Sequence, residues 1–118
     1  MESQLMMKGK IVLVRFPFDD LSATKVRPAL CLTNPVGAHN HIVLAFITSK
    51  TPPYLMETDI VLDGNHPDFG ITGLKKLSTL RLDHLITLRK SMIHREIGKL
   101  SANTLEEIAD KVCNMLRL

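Results

Sequence analysis

Between Gly9 and Leu62 the apolar runs are short and are separated by prolines, glycines or clusters of turn formers, which argues against a core built from long helices. The run "GKIVLVRF", Gly9 to Phe16, is β-branched and closed by Pro17, so it is predicted to be a strand. Four kinds of punctuation follow: the polar segment "PFDDLSATKV", read as a long mobile loop, the turn "TNPVGAHN", the stop Thr51-Pro52-Pro53, and the turn Asp63-Gly64-Asn65. Between and after them, strands are predicted at Ala29–Thr33, His41–Ser49, Thr58–Leu62, Leu77–Leu82 and Leu85–Arg89. Six strands so closely spaced predict a mainly β fold, a small barrel.

The period changes near the C-terminus. Leu105, Ile108, Ala109, Val112 and Leu116 fall on one helical face, and Ser101 or Asn103 supplies the N-cap, so a helix is expected to pack across the barrel. At 118 residues the chain has the length of one domain, residues 1–118. No apolar stretch is long enough to span a membrane, and the N-terminus lacks a secretory core, so a soluble cytoplasmic protein is expected. Cys31 and Cys113 lie far apart, with no close cysteine or histidine partner, and are read as small buried hydrophobes.

Charge is unevenly spread. Residues 75–99 carry seven lysines and arginines against Asp83 and Glu96, a net +5, whereas residues 31–74 have a net −3. The basic segment suits a polyanion or a plain solvated face. Cofactor chemistry finds no foothold, because Gly70 and Gly73 lack the spacing of a nucleotide-binding loop. His39 and His41 have no third ligand nearby, so no metal is expected, and Ser22 to Thr24 have no histidine within sequence reach.

The remaining candidate is a cluster of charge. Pro28 has no amide donor and a fixed φ, so it belongs at the start of a strand and places Arg27 at the strand's mouth. In "LSTLRLDHL", Arg81 and Asp83 are two apart, which on a regular strand puts both on one face and His84 on the other. Joined by Arg27 and the hydroxyl of Thr48 in one groove, the pair would form a phosphate site.

These segments taken in order, "GKIVLVRF", "RPALCLT", "ITS", "STLRLD" and "IGKLSANTLEEI", resemble the PemK/MazF toxins of bacterial toxin–antitoxin pairs over nearly the whole chain. The resemblance implies an SH3-like barrel, a homodimer, and a metal-independent endoribonuclease that cleaves single-stranded RNA selectively and needs no cofactor. It also implies a cognate antitoxin, whose acidic disordered segment would fill the basic groove, and contact with DNA only through the antitoxin complex. The family's catalytic positions fall on Arg27, Thr48, Arg81 and Asp83, with Lys25, Ser49 and Ser78 beside the substrate.

The chemistry suits those residue types. Cleavage by the RNA's own 2′-hydroxyl needs a proton acceptor, assigned to Asp83, and a clamp for the charged transition state, assigned to Arg27. Arg81 takes an electrostatic role, since a guanidinium releases its proton reluctantly, and Thr48 bonds a phosphate oxygen or the attacking hydroxyl. The chain departs from several family members in the loop after the first strand, which offers Asp19, Asp20 and Lys25 and no histidine. Two other readings remain open: a CcdB-like toxin that binds gyrase without cutting, against which the absence of tryptophan counts, and a barrel that binds nucleic acid without chemistry.

Overall fold

A computed structural model describes residues 6–15 and 26–117. The predicted loop after the first strand, with Asp19, Asp20 and Lys25, lies outside the described residues. The chain runs through strands β1 (Lys10–Arg15), β2 (Val26–Cys31), β3 (His41–Thr48) and β4 (Asp59–Leu62) and a one-turn helix α1 (Phe69–Thr72). Strand β5 (Ser78–Arg89), strand β6 (Ile93–Lys99) and helix α2 (Ala102–Leu116) follow. The strands form one antiparallel sheet in the order β4-β5-β3-β2-β1-β6.

The mainly β fold with a C-terminal helix is as expected, and the sheet of the small barrel is not closed: β4 and β6 are its two edges and do not pair. The number of strands agrees with the sequence reading for a different reason. The two predicted strands at Leu77–Leu82 and Leu85–Arg89 are one continuous β5, and the sixth strand is β6, "IHREIGK", whose charged, largely exposed residues gave no apolar signal. Charged side chains of this kind guard an edge against further pairing.

Both faces of the central strands are buried, which is why their sequences are almost continuously apolar. Ile11, Leu30, Ala45 and Ile47 share one core with Leu80, Leu82 and Ile108 of α2. Val12, Val14, Ala29, Cys31, Ile42 and Leu44 share a second core. In β1, β2 and β3 the odd and even positions thus divide between the two faces as the pleat requires.

Helix α2 begins at the cap read from sequence, with the Ser101 hydroxyl accepting from the Thr104 N–H. Its inner face is Thr104, Leu105, Ile108 and Val112; Ala109 and Leu116, placed on that face by periodicity, are exposed. Cys113 is also exposed, correcting its reading as a buried hydrophobe, because it lies one position beyond Val112 on the helix. Cys31 is buried, and burial pushes its thiol up to about 12, Glu96 adding to the shift and Lys10 opposing it. That thiol stays protonated and inert.

Asp68 locks α2 to the rest of the fold. Its buried carboxylate accepts from the Ser101 N–H at 2.9 Å. Burial pushes this carboxyl up, but the Ser101 N–H, the hydroxyls of Thr104 and Ser101, and nearby His66 outweigh it and hold the group below its ordinary 3.8. A carboxyl lowered by folding contributes stability that is complete above the unfolded value and disappears as pH falls through the folded one. Urea melts between about pH 2 and 5 should therefore show a steeper loss for the parent than for Asp68→Asn, which cannot ionise. Asp68→Ala should cost about 1–3 kcal/mol at neutral pH by stranding the Ser101 N–H.

Candidate active site

Two irregularities in the sheet open a cavity on the face of the second core. The first is at Pro28. Pairing of β2 with β3 begins only at Ala29↔Phe46, so Arg27 and Pro28 pair with β1 alone, through Val14 and Leu13. Meanwhile β3 continues past that junction along β5, through Ile47 and Thr48. The two strands splay, and the proline without an N–H sits at the fork, third in β2 and not at its start.

The second irregularity is in β5. Phe46 pairs with Arg81, yet the preceding residue Ala45 pairs with Leu85, so Leu82, Asp83 and His84 are three extra residues on one strand. Leu82 is held instead by its N–H to the Thr58 carbonyl, on the β4 side. An odd number of extra residues reverses which face each parity meets. Accordingly Leu80 and Leu82 enter the first core, while Ile86 and Leu88 face the second. The reversal brings His84 to the same face as Arg81, correcting the expectation that it points away.

The result is an open cavity of about 590 Å³, whose polar wall is Arg27, Thr48, Lys50, Arg81 and His84. Thr51 adds a further polar group, and Pro28, Phe46, Ile47, Pro52 and Pro53 line the rest of it with apolar surface. Arg27 arrives from β2, Thr48 from the end of β3, and Arg81 from the middle of β5. Thr48 is fixed by accepting the Lys50 N–H at 3.1 Å, which uses a lone pair and leaves the hydroxyl hydrogen to donate.

Arg81 is positioned by a residue the sequence reading did not single out. Asp59, its cross-strand neighbour on β4, places Oδ1 3.4 Å from the Arg81 Nε, and the Asp59 side chain has no exposed surface. The two atoms are coupled by charge alone, since neither makes a hydrogen bond. The other Asp59 oxygen accepts the Met56 N–H at 3.0 Å. Register between β4 and β5 is the signal that identifies Asp59, and it is not visible in the sequence of either strand.

Asp83 does not line the cavity; its Oδ2 lies 3.7 Å from the Nε2 of His84, which does. Asp83 falls among the three extra residues of β5, so the regular-strand geometry expected to set it beside Arg81 does not hold there. Ser49 is exposed beyond the end of β3 and Ser78 is buried, its hydroxyl donating to the Lys76 carbonyl at 3.0 Å; neither lines the cavity. Lys25 lies outside the described residues. Among the described residues no group of three or more His, Cys, Asp and Glu side chains stands close enough to hold a metal ion. His39 and His41 are exposed, their rings 6.0 Å apart.

A family model described as "PemK-like, MazF-like toxin of type II toxin-antitoxin system" matches residues 7–116, and with them every described strand and helix and the whole cavity. The chain belongs to that toxin family.

Among solved structures, the PemK/MazF-like chain is similar to the Mycobacterium tuberculosis toxin MazF-mt6, with a TM-score of 0.66 and 23% identity, covering 89% of this chain and 93% of that one. It is similar to MazF from Deinococcus radiodurans, with a TM-score of 0.66 and 19% identity over 95% of this chain and 96% of that one. A mycobacterial endoribonuclease in complex with its cognate antitoxin is similar with a TM-score of 0.63 and 18% identity, over 95% and 97% of the two chains. No curated protein matches the chain in sequence. Among the described residues no helix is long and apolar enough to cross a membrane.

Proposed function

We propose that this PemK/MazF-like toxin is an endoribonuclease that cleaves single-stranded RNA through the substrate's own 2′-hydroxyl, without metal or cofactor, in the cytoplasm. The observation that carries the reading is the convergence of Arg27, Thr48 and Arg81, from three strands, on one cavity with basic and apolar walls. Solved relatives described as endoribonucleases share its fold.

In this reading the scissile phosphate sits between the guanidinium of Arg27 and that of Arg81. Each offers a fork of N–H donors to oxygens that gain charge as the transition state forms, and neither loses its charge at physiological pH. Asp59 holds Arg81 by its Nε, which leaves the outer nitrogens of the guanidinium for the phosphate. The Thr48 hydroxyl donates to a phosphate oxygen. The proton acceptor comes from the Asp83–His84 pair at the cavity rim. Phe46 and the prolines accept unstacked bases, which single-stranded RNA can present and a duplex cannot.

The partners follow from the same surface. A cognate antitoxin would occupy the basic cavity with an acidic segment, as charge complementarity favours, and DNA would be reached only through that complex. A homodimer is proposed from the family alone. Incubating the purified protein with single-stranded RNA and with DNA of the same sequence, in excess EDTA, tests the reading. Fragments from the RNA alone are expected, and two intact strands at equimolar protein would refute it.

A further inference from the structure

We propose that His84 is the proton carrier of this reaction and that Asp83 acts through it as a positioning residue; the proposal rests on the ribonuclease reading above. Asp83 does not line the cavity, whereas His84 lines it together with Arg27, Thr48 and Arg81. The three-residue insertion in β5 is what puts it there. Without that insertion, even-numbered residues after Leu82 would stay on the face of Leu80 and Leu82, and His84 would face away from the phosphate site.

The Asp83–His84 contact supplies the rest of the device. The Nε2 of His84 lies 3.7 Å from the Asp83 carboxylate, a charge contact and not a hydrogen bond. A carboxylate beside an imidazole steadies the imidazolium that forms when it takes a proton. Arg27 from β2, Lys50 after β3 and Arg81 within β5 line the same cavity as His84, and Asp59 on β4 pairs with Arg81. The His84 side chain keeps 47% of its surface exposed, so a proton it receives can return to solvent.

The step balances as follows. The 2′-oxygen gives its proton to the His84 imidazole and forms the new bond to phosphorus, while the bond from phosphorus to the 5′-oxygen breaks. That oxygen takes a proton from water, and the imidazolium neutralises the hydroxide left behind. The products are a 2′,3′-cyclic phosphate and a 5′-hydroxyl.

The test is single-turnover cleavage of a short RNA across about pH 5 to 9 by the parent, His84→Ala, His84→Asn and Asp83→Asn, with thermal melts to confirm that each variant folds. Both His84 variants should be slower by about 10²–10⁴-fold and lose the acidic limb of the rate profile, and added imidazole should restore part of the His84→Ala rate. Asp83→Asn should keep more activity than His84→Ala and retain the acidic limb, because the imidazole that takes the proton is still present. An active parent whose rate and profile survive His84→Ala overturns the proposal, as does an acidic limb abolished by Asp83→Asn and retained by His84→Ala. A parent that leaves RNA intact overturns the ribonuclease reading beneath it.

Discussion

Replacing Arg27 with alanine is expected to slow RNA cleavage by about 10²–10³-fold, a loss of roughly 3–4 kcal/mol of transition-state stabilisation, with little change in melting temperature. The size follows from removing a charged donor aimed at developing charge inside a partly apolar cavity, where water replaces it poorly. The small effect on folding follows from position: Arg27 is exposed on a stretch of β2 that pairs only with β1, and the cores begin two residues later at Ala29. Arg27→Lys should recover only part of the rate, since an ammonium lacks the fork that matches two phosphoryl oxygens. Single-turnover rates set beside thermal melts check both halves of the expectation, and an unchanged Arg27→Ala rate would remove Arg27 from the reaction.

Asp59→Ala should affect stability and activity together. Removing the carboxylate leaves the Arg81 guanidinium in a half-buried site without its 3.4 Å partner and strands the Met56 N–H. Breaking a fully buried pair costs about 3–5 kcal/mol; with the Arg81 side chain 24% exposed, about 1–3 kcal/mol is expected here. Cleavage should fall by about 10²-fold as well, because a misplaced guanidinium no longer meets the phosphate. Asp59→Asn can still accept from Met56 and should lose less stability while losing a similar share of rate. Urea midpoints and cleavage rates for both variants, with the exposed Glu57→Ala as a reference, separate the two effects.

Much of this fold is legible in the sequence, and the parts that are not have a common cause. Punctuation by Pro and Gly marks β1 to β4, and the helical period with Ser101 marks α2, because those signals are local. Strand β6 escapes because it is an edge whose residues solvent reaches, and α1 because four residues are too few to show a period. The bulge in β5 is the instructive case. Leu80, Leu82, Ile86 and Leu88 keep an even spacing throughout, and the sequence gives no hint that the last two face the opposite way. Thr79, Arg81, Thr87 and Arg89 likewise keep to odd positions on both sides of the bulge, so the alternation runs on unbroken while the faces exchange.

The candidate site follows the same division. Arg27 stands out beside a proline, Thr48 at a strand end and Arg81 by its spacing from Asp83, and all three line the cavity. Asp59 and His84 enter only through cross-strand register and through the bulge, which are properties of paired strands and not of either strand alone. The spacing of Arg81 and Asp83 predicts a shared face only on a regular strand, and the bulge that begins after Arg81 removes that premise. The acidic surplus of residues 31–74 also has a structural use: Asp59 holds Arg81 and Asp68 holds the start of α2.

The most direct test of the account is cleavage of two RNA strands in excess EDTA, identical except for a single 2′-deoxy sugar at the nucleotide preceding the cut. The account predicts that the all-ribose strand is cut there to a 2′,3′-cyclic phosphate and a 5′-hydroxyl, that the substituted strand is not, and that Arg27→Ala cuts neither at a comparable rate. Equal cutting of both strands, or intact RNA accompanied by inhibition of gyrase, would contradict it.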